Sequence, residues 1–459
     1  MEDAKTKIAG LVSRARKAQE SIESYGQAEV DKLTRALVWS VVKPGTIEVV
    51  AKMAVEESQL GNYQSKYTKL QKKLRGALRD MAGKKSVGII EEDEERGLIK
   101  IAKPAGVIGA LIPCTNPEAT PVFMAISAIK GRNAVIMAPH PRTKKTNTYI
   151  VNIMRSTLKA YGLPEDLVIG IEEPTMEESG ELMKQVDLVV ATGGAPLVKA
   201  AYSSGTPAYG VGAGNAVIVV DETADIADAA HKIKLSKTFD YATSCSSDNS
   251  VVAVDAIYDK LLAALISEGG YLVNPEEKKR LQAVLWPDGH LSRETTAQPA
   301  SKIAKLAGIE LPEDREFLIV PETGEGPEHP FSGEKMCVVM ALYRVPSFDA
   351  AVDKINAITA YQGMGHSCGL HTTDKKRVAE IGLRTKVSRI LIRQAQCYGN
   401  TGNWDNGMPF TMTLGCGTWG GNITTENVCW KHMINVTWVS TPIKEVIPPD
   451  SELFAGVMD

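Results

Sequence analysis

Cys245 stands in FDYATSCSSDNS (239–250), among hydroxyl-bearing side chains rather than inside a hydrophobic run. It follows the helical stretch DAAHKIKLSKTF and precedes the strand-like SVVAVD. Its sulfur therefore falls near an element end, where reactive groups often sit. A free thiol ionises near pH 8.5, and nearby donors or a helix terminus lower that value, so the context suits a nucleophile. Cys337, Cys397 and Cys416 border apolar or glycine-rich packing segments and read as inert thiols. His366, in YQGMGHSCGLHTT, is a candidate base: Gly363 and Gly365 keep the backbone close and aim its imidazole into a cleft. His366 and His371 are wrongly spaced for one helical face and have no acidic companion, so no metal site is expected.

Two glycine-rich turns suit a different task. DLVVATGGAPLVKAAYSSG runs a strand through Gly193 and Gly194 into a helix. Such a turn exposes backbone N–H groups at a helix N-terminus, which can take a dinucleotide phosphate. It lacks the GxGxxG spacing, and a plain tight turn is the alternative reading. YGVGAGNA (209–216) lies just before a strand and reads as a loop needing positive φ.

These groups need elements to hold them. With 459 residues and 44% hydrophobic side chains the chain can bury large cores in about two or three domains. A net charge of -3 excludes the strongly basic balance of a nucleic-acid binder. No apolar run approaches the ~20 residues that cross a bilayer, so no membrane partner is expected. The opening MEDAKTKIAGLVSRARKAQ lacks the apolar core of a secretion signal and reads as an amphipathic surface helix. Seven cysteines with no CxxC pair indicate neither a disulfide framework nor a zinc site, and the cytoplasm is the expected compartment. Residues 6–84 read as helical. SVGIIEEDEERGLIKIAKPAGVIGALIP then reads as a long hairpin leading into a buried strand. Beyond it, short apolar strands alternate with helices, which predicts α/β architecture with parallel sheets covered on both faces. GHLSRETTAQPASKIAKLAG reads as a surface excursion, the glycine-rich 399–421 as loop, and HMINVTWVS as a final strand.

Taken together these segments resemble the aldehyde dehydrogenase superfamily. PAGVIGALIPCTNP is similar to its cofactor-strand motif, whose closing asparagine polarises the substrate carbonyl; here that is Asn116. FDYATSCSSDNS matches the nucleophile segment at Cys245, and GEKMCVVMAL matches the segment whose glutamate holds the nicotinamide ribose, here Glu334. The resemblance implies an aldehyde dehydrogenase-like fold with a Rossmann-type cofactor domain. It places cofactor contacts at Pro113, Thr115, Pro139, His140, Arg142, Gly193, Gly194, Gly212 and Glu334. The expected layout is N-terminal helices and a dinucleotide-binding domain over 1–237, with an oligomerisation hairpin at 86–103. A catalytic domain over 238–420 follows, then a C-terminal oligomerisation segment and tail over 421–459. A homodimer or homotetramer is expected by resemblance, and because exposed strand edges seek partners.

Within the superfamily the details resemble the CoA-acylating branch. Hydrolytic members carry a water-activating glutamate in a Glu-Leu-Gly-Gly segment, and Gly210 of YGVGAGNA stands at that place. A thioester on Cys245 would then survive until coenzyme A attacks it, with His366 implied as the base. Ala138–Arg142 lacks the carboxylate that usually meets the adenosine ribose, so Arg142 or Lys144 could accept a 2′-phosphate. NADP is permitted and NAD remains possible. TSCSSDN and GNTGNWDNGMPFT are similar to members acting on sulfoacetaldehyde, ahead of succinate semialdehyde and short neutral aldehydes. Ile392-Arg393 replaces the pair usual in relatives, and Arg393 is expected to meet an anionic substrate tail. The alternatives are a hydrolytic aldehyde dehydrogenase, which Gly210 opposes, and a catalytically weak assembly scaffold.

Overall fold

The computed structural model describes residues 3–457. Four helices open the chain: Ala4–Glu20, Gln27–Val42, Thr46–Ser58 and Tyr63–Met81. Short polar caps start the first and the last. The Asp3 carboxylate accepts from Thr6 N–H at 2.9 Å, and the Asn62 side chain accepts from Ser65 N–H at 2.9 Å. Their apolar faces share one core with the first sheet, through Ile8, Leu37, Val50 and Leu74.

That sheet has five parallel strands, in spatial order Val168–Gly170, Ala134–Pro139, Val107–Ile112, Leu188–Thr192 and Ala208–Val211. Its strands are apolar throughout because helices cover both faces. Strand order reverses between Val107–Ile112 and Leu188–Thr192, the doubly wound pattern in which a crevice opens at the carboxyl ends. The second sheet has seven parallel strands, in order Gly270–Leu272, Phe317–Pro321, Val339–Val345, Ser250–Val254, Val217–Val220, Cys368–His371 and Ile390–Ile392. A separate core fills it. The third sheet is antiparallel: Gly88–Asp93, Leu98–Pro104 and Ile434–Ser440.

Three expectations shift. The strand Val217–Val220 and the helix Ile226–Thr238 belong to the second sheet, so the division lies at residues 212–216 and not at Lys237. Alternating strand and helix look alike on either side of that link, and only pairing partners separate them. The segment 289–308 is not merely a surface excursion: it contains the helix Ala300–Leu306, and Thr295, Ala297 and Ile303 are buried. Ala297 also bridges the halves, accepting from Gly61 N–H and donating to the Met336 carbonyl. Finally, residues 421–433 pack in the body of the molecule, with Asn422, Val428 and Met433 buried, and only the strand that follows reaches the hairpin.

Gly76 lies inside the helix Tyr63–Met81, where a Cβ would fall 2.4 Å from the Phe410 ring. Alanine normally favours a helix over glycine by about 1 kcal/mol. Here overpacking of about 1–3 kcal/mol should outweigh that gain. Gly76→Ala is expected to lower the Tm by about 1–2 °C in thermal unfolding. An unchanged or raised Tm would contradict the contact.

Candidate active site

The two parallel sheets meet end to end. Residues 212–216 carry the chain from the carboxyl end of Ala208–Val211 into Val217–Val220. The loops leaving the first sheet therefore face the loops entering the second. Asn116 follows Val107–Ile112, and Gly193 and Gly194 follow Leu188–Thr192, one on each side of the switch point. From the other side, Cys245 precedes Ser250–Val254 and His366 precedes Cys368–His371.

The imidazole Nε2 of His366 lies 3.1 Å from Cys245 Sγ. Its Nδ1 is 2.9 Å from Ser367 Oγ, which accepts from Asn400 Nδ2 at 3.2 Å. Behind Asn400, Gln396 donates to Asp248 Oδ1 at 2.7 Å, so a buried polar chain orients the ring. The two glycines beside His366 both adopt positive φ, +89° at Gly363 and +81° at Gly365. At Gly365 a Cβ would fall 2.0 Å from the Cys416 carbonyl oxygen, so only glycine lets the imidazole segment approach.

Burial governs the charges. Desolvation pushes the Cys245 thiol up to about 12, and the nearby Glu334 carboxyl adds to that. Desolvation pulls His366 down to about 3, helped by the Arg389 guanidinium. The pair is thus a neutral thiol beside a neutral imidazole, not an ion pair. Arg389 is buried and donates to the carbonyls of His366, Gly415, Thr425 and Glu426 and to Asn427 Oδ1, which fixes the 413–427 loop against the site. Its charge favours the thiolate while opposing the imidazolium.

Glu334 lines the same narrow pocket as Cys245, with Asn215, Lys237, Asn249 and Met336. Burial pushes its carboxyl up to about 8, against the Gly214 N–H and the charges of Lys335 and Lys237. Gly214 itself lies against Cys245: a Cβ there would fall 2.1 Å from the Cys245 carbonyl oxygen.

The other expected cofactor contacts lie along the carboxyl edge of the first sheet. Pro113 and Thr115 leave its central strand, and Pro139, His140 and Arg142 form the turn after Ala134–Pro139. Gly194 caps the helix Ala195–Tyr202, and Gly212 has open space where a side chain would be. This edge, with helix-start N–H groups at one end and Glu334 at the other, fits a nicotinamide dinucleotide. Arg142 is engaged with the Ser58 carbonyl, and Lys144 pairs with Glu173.

Arg393 does not join them. The strand Ile390–Ile392 runs away from the site, with Arg389 at its near end beside His366 and Arg393 at its far end beside Leu370 and His371. Four residues of extended chain separate the two arginines by about 13 Å. Arg393 is exposed there, so the expectation that it meets a substrate tail is withdrawn. The sequence reading passed over Arg389, Ser367 and Asn400. A cationic residue directly before an apolar strand was the one available signal for Arg389.

A model of the aldehyde dehydrogenase family matches residues 9–276, more than half of the chain. The chain belongs to the aldehyde dehydrogenase family. A relative from Bilophila wadsworthia named sulfoacetaldehyde dehydrogenase (acylating) is 47% identical over 438 residues, covering 94% of each chain. The crystal structure of an acetylating aldehyde dehydrogenase from Geobacillus thermoglucosidasius superposes with a TM-score of 0.94 at 35% identity, covering 98% of this chain and all of that one. A propionaldehyde dehydrogenase from Rhodopseudomonas palustris, solved with bound CoA and an acylated cysteine, has a TM-score of 0.84 at 27% identity over 95% of this chain and 97% of that one.

In this aldehyde dehydrogenase the thiolate fraction of Cys245 should rise tenfold per pH unit through the neutral range. His366 keeps its neutral state above about pH 3. Log rates of iodoacetamide alkylation of Cys245 without ligands are expected to climb with unit slope between about pH 6 and pH 9. A plateau above about pH 7.5 would show an ionised resting thiol and contradict the neutral pair.

Proposed function

We propose that this aldehyde dehydrogenase is CoA-acylating, turning an aldehyde, coenzyme A and NAD(P)+ into acyl-CoA and NAD(P)H, with sulfoacetaldehyde as substrate. The observation that carries the acylating reading is Gly210. A Cβ there would fall 2.7 Å from Val198 Cγ1 and 2.8 Å from Tyr202 Cε2. The Gly210 N–H donates to the Tyr202 hydroxyl at 3.0 Å, and that hydroxyl lies 3.2 Å from the Gly210 carbonyl oxygen. The position has neither a carboxylate to activate water nor space for one.

The chain's own groups supply the remaining chemistry. Cys245 Sγ attacks the aldehyde carbon as its proton passes to His366 Nε2. The new oxyanion of the thiohemiacetal is held by Asn116 Nδ2 and the backbone N–H of Cys245. A bound nicotinamide cofactor would supply the hydride acceptor for that carbon, whose oxidation leaves a thioester on Cys245. Once His366 has released the first proton to solvent, the coenzyme A thiol gives its proton to the free imidazole and attacks the acyl carbon, and Cys245 departs as thiolate and is reprotonated by His366. Glu334 and the turns at Gly193–Gly194, Gly212 and Pro139–Arg142, with Pro113 and Thr115, hold the dinucleotide. Arg142, through the guanidinium nitrogens that do not meet the Ser58 carbonyl, is the residue proposed for a 2′-phosphate, and both NADP and NAD are compatible with the edge.

The sulfoacetaldehyde reading is supported by the 47% identity to an enzyme of that name across nearly the whole chain. The strands Gly88–Asp93 and Ile434–Ser440 are the two edges of the third sheet, with Trp438 56% exposed, and their pairing with a second copy would build a dimer or tetramer. Seven free cysteines fit a reducing cytoplasm.

A panel of sulfoacetaldehyde, succinate semialdehyde and propanal, each with and without coenzyme A, tests the proposal. NAD(P)H formation should require coenzyme A, the product should be acyl-CoA, and kcat/KM should be highest for sulfoacetaldehyde. Free acid formed at an unchanged rate without coenzyme A would establish the hydrolytic alternative. Arg393→Ala should leave the KM for every aldehyde unchanged.

A further inference from the structure

We infer that Lys69 is a positioning residue for the reaction: its ammonium fixes the orientation of the Asn116 carboxamide and ties it to the segment carrying Cys245. The inference rests on the proposed role of Asn116 as oxyanion donor.

Lys69 projects from the helix Tyr63–Met81, which belongs to neither parallel sheet, and its side chain is 4% exposed. Its three donors meet three acceptors: Asn116 Oδ1 at 2.6 Å, Asp240 Oδ2 at 2.5 Å and Thr243 Oγ1 at 3.5 Å. One ammonium therefore touches a residue from the first sheet's carboxyl edge and two from the loop that ends in Cys245. A carboxamide has an accepting end and a donating end of nearly equal size. Holding Oδ1 against a cation leaves Nδ2 as the end available to a developing oxyanion. The competing partner of Nδ2 is Thr115 Oγ1, at a long 3.4 Å. A flipped amide would present its oxygen to the oxyanion and repel it.

The other end of the bridge is equally specified. Asp240 is fully buried, and Oδ1 accepts from Asn62 N–H at 2.9 Å while Oδ2 accepts from Lys66 at 2.9 Å and Thr243 Oγ1 at 2.6 Å. Asp240, Tyr241 and Ala242 have φ of 52°, 50° and 62°, three successive left-handed residues immediately before the nucleophile turn. The two ammonium groups face two carboxylates, because Glu118 lies 3.6 Å from Lys69 and 3.8 Å from Lys66. Both Glu118 oxygens lack a hydrogen bond. Removing the Lys69 charge leaves Asp240 paired with Lys66. The Asn116 oxygen, in contrast, loses its ammonium donor. The nucleophile segment is thus held by two lysines and the carboxamide by one.

Lys69→Met, Asn116→Ala and the double variant separate these roles in steady-state assays, with iodoacetamide alkylation of Cys245 as a second readout. Lys69→Met should lower kcat about 100-fold, the scale of one lost oxyanion donor, with KM within about threefold. The double variant should be no slower than Asn116→Ala alone, within about threefold, and alkylation in Lys69→Met should stay within about twofold of wild type. Lys69→Gln, which retains an uncharged N–H donor, should recover at least about tenfold over Lys69→Met. Multiplying losses in the double variant, a slowed alkylation, or a variant that does not fold would each overturn the inference, because Lys69 would then act on the loop or the framework. A normal kcat in Lys69→Met beside an impaired Asn116→Ala would overturn it while leaving the oxyanion role intact. A normal kcat in Asn116→Ala would remove that role itself.

Discussion

Withdrawing a thiol and an imidazole from water together sets the terms for the rest of the catalytic centre. Each pKa unit of separation costs about 1.4 kcal/mol for ground-state proton transfer. With the thiol near 12 and the imidazole near 3, transfer has to accompany bond formation rather than precede it. The thiol is thereby kept quiet at rest. The neighbouring Arg389 acts on both partners at once, favouring the thiolate while opposing the imidazolium, so it does not promote an ion pair at rest. In the proposed mechanism a neutral His366 also suits two successive proton transfers, from Cys245 and then from coenzyme A, because a base held near 3 gives up the first proton to solvent before the second arrives.

Such burial is possible because two open sheets are set end to end. The short link at 212–216 places the carboxyl edge of one against the amino edge of the other, and each contributes half of the chemistry. The cost appears at Asp240–Ala242, where left-handed conformations of non-glycine residues run to about 1–3 kcal/mol each. Ion pairs and hydrogen bonds converging on Asp240 offset it. They also couple the N-terminal helices to the nucleophile loop. Those helices are accordingly tied to the candidate site and are not only a cover for the first sheet.

Much of this was legible in the sequence, for physical reasons. Cys245 and His366 announced themselves because polar or glycine surroundings at element ends have no packing explanation, and the structure brings the two side chains together. Gly210 was legible only through resemblance, since the informative fact is a missing side chain. Arg393 misled because a charge beside a divergent loop looks the same at either end of a three-residue strand. Strand direction, which a sequence read alone does not supply, decided it. Lys66, Lys69 and Glu118 were invisible for a related reason. Charged residues on an amphipathic helix, as Lys66 and Lys69 are, or in a turn, as Glu118 is, default to solvent, and their burial depends on partners far away in sequence. The link between the sheets was misplaced because βαβ units do not declare which sheet they join.

The most direct test of the account is intact-protein mass spectrometry of Cys245 during a single turnover with sulfoacetaldehyde and NADP+ or NAD+ in the absence of coenzyme A. The account predicts one acyl adduct per chain that persists for many minutes in buffer and disappears as acyl-CoA on addition of coenzyme A. An adduct that never accumulates while free acid forms would show that water resolves the thioester, and would contradict it.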